Sequence, residues 1–178
     1  MLAYLFWHRP AVTEPYEADL RAFHASLAGA RPPGFAASAA FRIGPTPWFG
    51  EPGYEDWYAV ADWAALGRLN DAAVAPLHRP AHDRVADEAA VGAGAVYRLL
   101  RGEPEVGDAT AAAWFAKPPD WTYDRLLAVL EQVPPVHRLW QRQMVLGPAP
   151  EFCLWGPEAV ELPSALTVVH TEPVRVWP

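Results

Sequence analysis

The feature that most narrows the fold is the order in which hydrophobic periodicity switches between strand and helix along the first hundred residues. Leu2 to Arg9 is a continuous apolar run closed by Pro10, as expected of a strand covered on both faces. Tyr16, Leu20, Phe23 and Leu27 then recur at spacings of three and four, which predicts a helix from Tyr16 to Leu27, with Glu14 and Pro15 at its start. Gly29 and Arg31-Pro32-Pro33-Gly34 stop it. Phe35 to Ile43 alternates with period two, placing Phe35, Phe41 and Ile43 opposite Ser38 and Arg42. After a Gly/Pro turn, Tyr54 to Trp63 is rich in aromatic and β-branched residues and reads as a third strand. Ala64 to Val74 has helical composition, Pro80 suits the first turn of a helix running to Ala90, and Ala95 to Arg101 makes a fourth strand. The order is β-α-β-β-α-β.

The second half echoes this order. Trp114-Phe115-Ala116-Lys117-Pro118 parallels Phe6-Trp7-His8-Arg9-Pro10, and Tyr123, Leu127 and Leu130 parallel Tyr16, Leu20 and Phe23. Gly147-Pro148-Ala149-Pro150 follows a strand (His137 to Leu146) as Gly44-Pro45-Thr46-Pro47 does. Glu151 to Trp155 and Ala165 to Thr171 complete the strands, with too few residues between them for a second helical segment. Three landmarks in the same order predict an internal repeat. The units are residues 1–104 and a shortened, degenerate 105–178, and the class is α+β.

This β-α-β-β-α-β order resembles the ferredoxin-like unit. Two such units with antiparallel sheets packed together resemble the dimeric α/β-barrel superfamily, which includes small cofactor-independent monooxygenases of antibiotic biosynthesis, EthD-like proteins and the haem-binding chlorite dismutase group. The resemblance implies a small-molecule pocket, either between sheet and helices or inside a barrel lined by rings. It carries no catalytic residue over to this chain.

Composition removes several classes of function. A net charge of −7, with fourteen scattered Lys and Arg, argues against a nucleic-acid partner. No apolar run approaches the ~18 residues that span a bilayer, and the N-terminal segment reads as a strand rather than a signal peptide. A single cysteine, Cys153, permits no internal disulfide, reads as a buried inert thiol, and fits a cytoplasmic setting. GxGxxG, GxxxxGK[ST], GxSxG and CxxC are all absent from the sequence. No cofactor is called for by a motif.

Candidates for chemistry are His8, His78, His82 and Asp56. His78 and His82 lie four apart beside Asp83, which suits acid-base work or a divalent ion, or equally a turn and a helix N-terminus; no metal set is assigned. His8 ends the first strand, where pocket rims form. Asp56 lies between Tyr54 and Tyr58 on one strand face; it could be a general base, though pairing with Arg42 on the adjacent strand is the plainer expectation. Trp7, Arg42, Trp48 and Tyr58 are candidate substrate contacts, and the loop carrying Trp48 and Phe49 could form a lid. Arg138 and Arg142 share a strand face with Trp140 and could hold a carboxylate or meet a partner chain. His24 reads as surface, His137 as exposed and His170 as core. Three functions are compatible with these features: a small-molecule pocket protein, with or without cofactor-independent catalysis; a haem or metal protein; or a non-catalytic assembly protein. A homo-oligomer fits each of them.

Overall fold

The computed structural model describes residues 1–11, 15–145 and 148–178. Glu14, expected at a helix start, and Leu146 and Gly147, expected at a strand end and turn, lie outside the described residues.

Among the described residues there are nine strands and four helices: β1 (Leu2–Pro10), α1 (Tyr16–Ala30), β2 (Phe35–Ile43), β3 (Gly53–Val60), α2 (Trp63–Ala73), α3 (Arg79–Glu88), β4 (Ala89–Arg101), β5 (Ala111–Phe115), α4 (Tyr123–Leu130), β6 (Arg138–Val145), β7 (Phe152–Gly156), β8 (Val168–Thr171) and β9 (Val174–Trp177). The strands form one antiparallel sheet in the order β8-β5-β7-β6-β4-β1-β3-β2-β9. The two halves are therefore joined through β4 and β6 and, at the far edge, through β2 and β9. Each half shows the same spatial order of its first four strands, fourth-first-third-second.

The sheet curls. Trp57 of β3 and Trp155 of β7 are four strand steps apart, about 19 Å along a flat sheet, yet their ring centroids are 4.5 Å apart. Phe41 of β2 meets Trp155 at 5.1 Å and Trp7 of β1 meets Trp114 of β5 at 5.8 Å. The concave face is thus a packed interior filled by rings from both halves, together with Leu5, Ala39, Ala59, Ala95 and Cys153. This corrects the expectation of a hollow inside the barrel: five fully buried indoles occupy the space.

Local chemistry explains most element ends. Asp62 caps α2 by accepting from the Ala65 amide at 2.8 Å, and Thr122 caps α4 through the Arg125 amide at 3.1 Å. Asp62 and Trp63 therefore leave the expected third strand and start a helix. Pro80 sits in the first turn of α3, and Arg31 ends α1 in the left-handed conformation at φ 46°.

Two register details differ from the sequence pattern. A bulge between Phe35 and Ala37 turns Phe35 to the helix side, where it packs with Leu27 and Val60, away from Phe41 and Ile43. The echo of Phe6 in Trp114 is also off by one: Phe6 faces the helices, whereas Trp114, like Trp7, faces the interior.

Candidate functional site

Strand period decides which side chains can meet. On the convex face of the sheet, toward the helices, β1 presents Tyr4, Phe6 and His8, and β3 presents Tyr54, Asp56 and Tyr58. Trp7, Glu55 and Trp57 point the other way. The register sets Phe6 beside Asp56, His8 beside Tyr54 and Tyr4 beside Tyr58. On β2 the small Ala40 lies opposite Asp56 and Ser38 opposite Tyr58, and α1 packs over these strands with Tyr16, Leu20, Phe23, His24 and Leu27 buried.

The result is a buried polar cluster centred on one carboxylate oxygen. Asp56 Oδ2 accepts a hydrogen bond from the Tyr58 hydroxyl at 3.0 Å. His8 Nε2 sits 3.1 Å from the same oxygen, off the line of a well-aligned hydrogen bond, and His24 Nε2 sits at 3.5 Å. Each imidazole is held from behind: the Tyr16 hydroxyl is hydrogen-bonded to His8 Nδ1, and the Ser38 hydroxyl lies 2.8 Å from His24 Nδ1. His24 also stacks flat on Tyr58, with centroids 5.0 Å apart. Asp56 Oδ1, in contrast, is buried and has no partner.

Burial alone would disfavour the charged form of Asp56, but His8 and His24 outweigh it and hold the carboxyl below its ordinary range. Burial and the Asp56 charge push the Tyr58 hydroxyl well above the usual tyrosine range, so it stays protonated and donating. Across the sheet, Glu55 accepts from the indoles of Trp7 and Trp57, each at 2.6 Å. Its carboxyl is raised to about 7 by burial, against the lowering effect of the two indole donors.

A cavity of about 740 Å³ opens over this cluster, between the sheet and the helices. Asp56, Tyr58, Tyr4 and Phe6 line it from the sheet, and Trp63, Leu66, Asn70 and His82 from α2 and α3. Met144 of β6 and Val96 of β4 close the side toward the second half. The walls are mostly apolar.

The expected site residues divide by face. Asp56, Tyr58 and His82 line the cavity, and His8 lies directly behind Asp56. Trp7 is buried in the barrel interior, and Trp48 packs on Trp7 and Trp114 at the barrel's end, beside a separate recess of about 630 Å³. Neither touches the cavity. Arg42 pairs with Glu17 at 2.9 Å rather than with Asp56, because its partner across β3 is Tyr54, two residues short of reach. His78 is buried, bonded to Ser26 Oγ at 2.6 Å, and faces away from the cavity. Arg138 pairs internally with Asp108, and Arg142 with the Ala149 carbonyl. His137 is buried on the Glu158 carbonyl, and His170 is exposed, both opposite to expectation. Cys153 is buried, and burial raises its thiol well above the ordinary value. Among the described residues no group of three or more His, Cys, Asp or Glu is placed to hold a metal ion.

Sequence reasoning passed over His24, Ser38, Tyr16 and Glu55. His24 carried a signal: it is four residues from Leu20 and three from Leu27, within the wide apolar stripe of a core-facing helix. Ser38 and Glu55 carried none, since alternation along a strand does not say which face meets a helix.

No protein-family model and no curated protein sequence matches the chain. Among solved structures it is similar to a proposed monooxygenase from Lactobacillus acidophilus NCFM, with a TM-score of 0.58 and 12% identity, over 98% of this chain and 93% of that one. It is also similar to an anthrone oxidase-like protein, with a TM-score of 0.55 and 11% identity, over 97% and 91% of the two chains. At these identities the likeness is one of fold alone.

Proposed function

We propose that this protein binds an apolar or aromatic small molecule between the sheet and the helices, and that Asp56 accepts a hydrogen bond from the ligand's polar atom. The observation that carries this reading is that Asp56 lines a largely apolar cavity while its Oδ1 is buried without a hydrogen-bond partner. His8 and His24 act through Asp56: they fix its orientation and sustain its charge. His82, on α3, is a further titratable group lining the cavity. His78, Trp7, Trp48 and Arg42 take no part in this reading.

The fold neighbours are named as a monooxygenase and an anthrone oxidase-like protein, which makes planar aromatic compounds a natural first ligand class to try.

We further read the chain as two tandem ferredoxin-like units, residues 1–104 and 105–178. The shared strand order supports it. In the second unit the sheet positions facing α4 carry Phe115, Phe152 and Leu154, which form a plain apolar core with Leu126 and Leu130. On this reading the first unit kept a cavity between sheet and helices where the second is filled by apolar side chains.

The test is a thermal-shift screen of planar aromatic compounds against the wild type, Asp56→Asn and Ala73→Phe. Ala73 lines the cavity from α2, away from the polar cluster. Hits should stabilise the wild type, be lost in Ala73→Phe and be weakened in Asp56→Asn; a wild type stabilised by no member of the panel, or hits retained in Ala73→Phe, would refute the reading.

A further inference from the structure

We infer that the cavity selects its ligand by hydrogen-bond donation: it takes a neutral molecule presenting an O–H or N–H to Asp56 Oδ1, and it rejects the corresponding carboxylate. This rests on the binding reading above.

The argument begins with what the cluster has left to offer. An ionised carboxylate only accepts hydrogen bonds. Its Oδ2 is already surrounded by Tyr58, His8 and His24, while Oδ1 is buried without a partner. The groups that could have made the floor a donor are committed elsewhere. The single proton of the Tyr58 hydroxyl is given to Asp56. Neither imidazole lines the cavity: His8 is bonded through Nδ1 to Tyr16 with Nε2 3.1 Å from Asp56 Oδ2, and His24 through Nδ1 to Ser38 with Nε2 3.5 Å from the same oxygen. Neither ring can turn an N–H toward a ligand without breaking a contact on its far side. Among the described residues, no Lys or Arg lines the cavity. The remaining polar groups of the wall, Tyr4, Trp63, Asn70 and His82, include no Lys or Arg, and the two imidazoles that offset the Asp56 charge lie at Oδ2 and not in the lining.

Three ligand types would therefore fare differently. A donor satisfies Oδ1 with a charge-assisted hydrogen bond. A hydrocarbon of the same shape covers Oδ1 and leaves it unpaired, at the cost of a missing hydrogen bond to a charged group. An anion brings like charge to like charge in surroundings that screen poorly. Recognition of this kind discriminates more sharply than shape, because the wrong ligand strands a buried polar atom.

The experiment is isothermal titration at pH 8 with three probes of one shape: 2-naphthol, 2-methylnaphthalene and 2-naphthoic acid. The wild type should bind 2-naphthol about 10- to 100-fold more tightly than 2-methylnaphthalene, with 2-naphthoate the weakest of the three. Asp56→Asn, whose amide carries no charge and can donate, should shrink the gap between naphthol and naphthoate to a few-fold. The wild-type ranking decides even if that variant folds poorly. Naphthoate binding as tightly as naphthol overturns the donor rule. Equal binding of all three, abolished by Ala73→Phe, overturns the rule and leaves the cavity standing. No binding by any probe, or binding that Ala73→Phe does not touch, overturns both.

Discussion

Glu55 and Asp56 are neighbours in sequence, on opposite faces of one strand, and their environments push them in opposite directions. Asp56 is held ionised by two imidazoles, whereas Glu55 is raised to about 7 because burial outweighs two indole donors. A carboxyl whose folded value lies above its ordinary value of 4.5 keeps its proton longer in the folded state than in the unfolded chain. Its stabilising contribution is full below pH 4.5 and is lost as pH rises through about 7, a fall of about 3 kcal/mol. Urea denaturation at pH 5 and pH 8 should show that fall in the wild type and its absence in Glu55→Gln; an unchanged slope in the variant would place the effect elsewhere. Asp56 has the opposite sign: its lowered value gives stability that is present at neutral pH and is lost only on acidification below its ordinary 3.8.

At the scale of elements, β4 keeps the cavity open by being bare. A Cβ on Gly92 would lie 2.6 Å from Phe6 Cζ, and one on Gly94 would lie 2.9 Å from the Tyr4 hydroxyl, so both rings of β1 rest on glycine backbone. Gly92→Ala should press Phe6 toward the ligand space and cost about 1–3 kcal/mol, seen as a lower melting temperature together with weaker ligand binding; a fully stable variant with unchanged affinity would sink this account. The same strand shows where sequence reading stops. Its first half, Ala89 to Gly94, looked like a helix end and a turn, yet it is strand because β1 offers a partner along its whole length. β9 was not expected at all: four residues after Pro173 become a strand because the edge of β2 is open to pair with them. Both are products of long-range pairing, which local propensity does not encode.

At the scale of the molecule, one interior is shared by both halves. Trp7, Phe41 and Trp57 come from the first, and Trp114, Trp140 and Trp155 from the second. Neither half covers its own rings. A fragment of residues 1–104 should therefore fail to fold alone, and the full chain should unfold in one transition by fluorescence and circular dichroism. Two separated transitions, or a cooperatively folded fragment, would contradict a common core. Trp57→Ala should cost about 3–5 kcal/mol in the whole chain, measured by denaturant titration.

Several properties were legible in the residues themselves: the order of strands and helices, the buried stripe of α1, the turns marked by Gly and Pro, and the absence of the GxGxxG, GxxxxGK[ST], GxSxG and CxxC motifs. These depend on periodicity and on chemistry within a few residues, and both are local. The tertiary structure alone decided that the rings of β1 and β3 fill the barrel while the tyrosines and Asp56 face a cavity, that Arg42 serves Glu17, and that His24 turns inward to Asp56. Alternation separates a strand's two faces but does not say what covers each. In a sheet buried on both sides that choice is made only when distant segments pack.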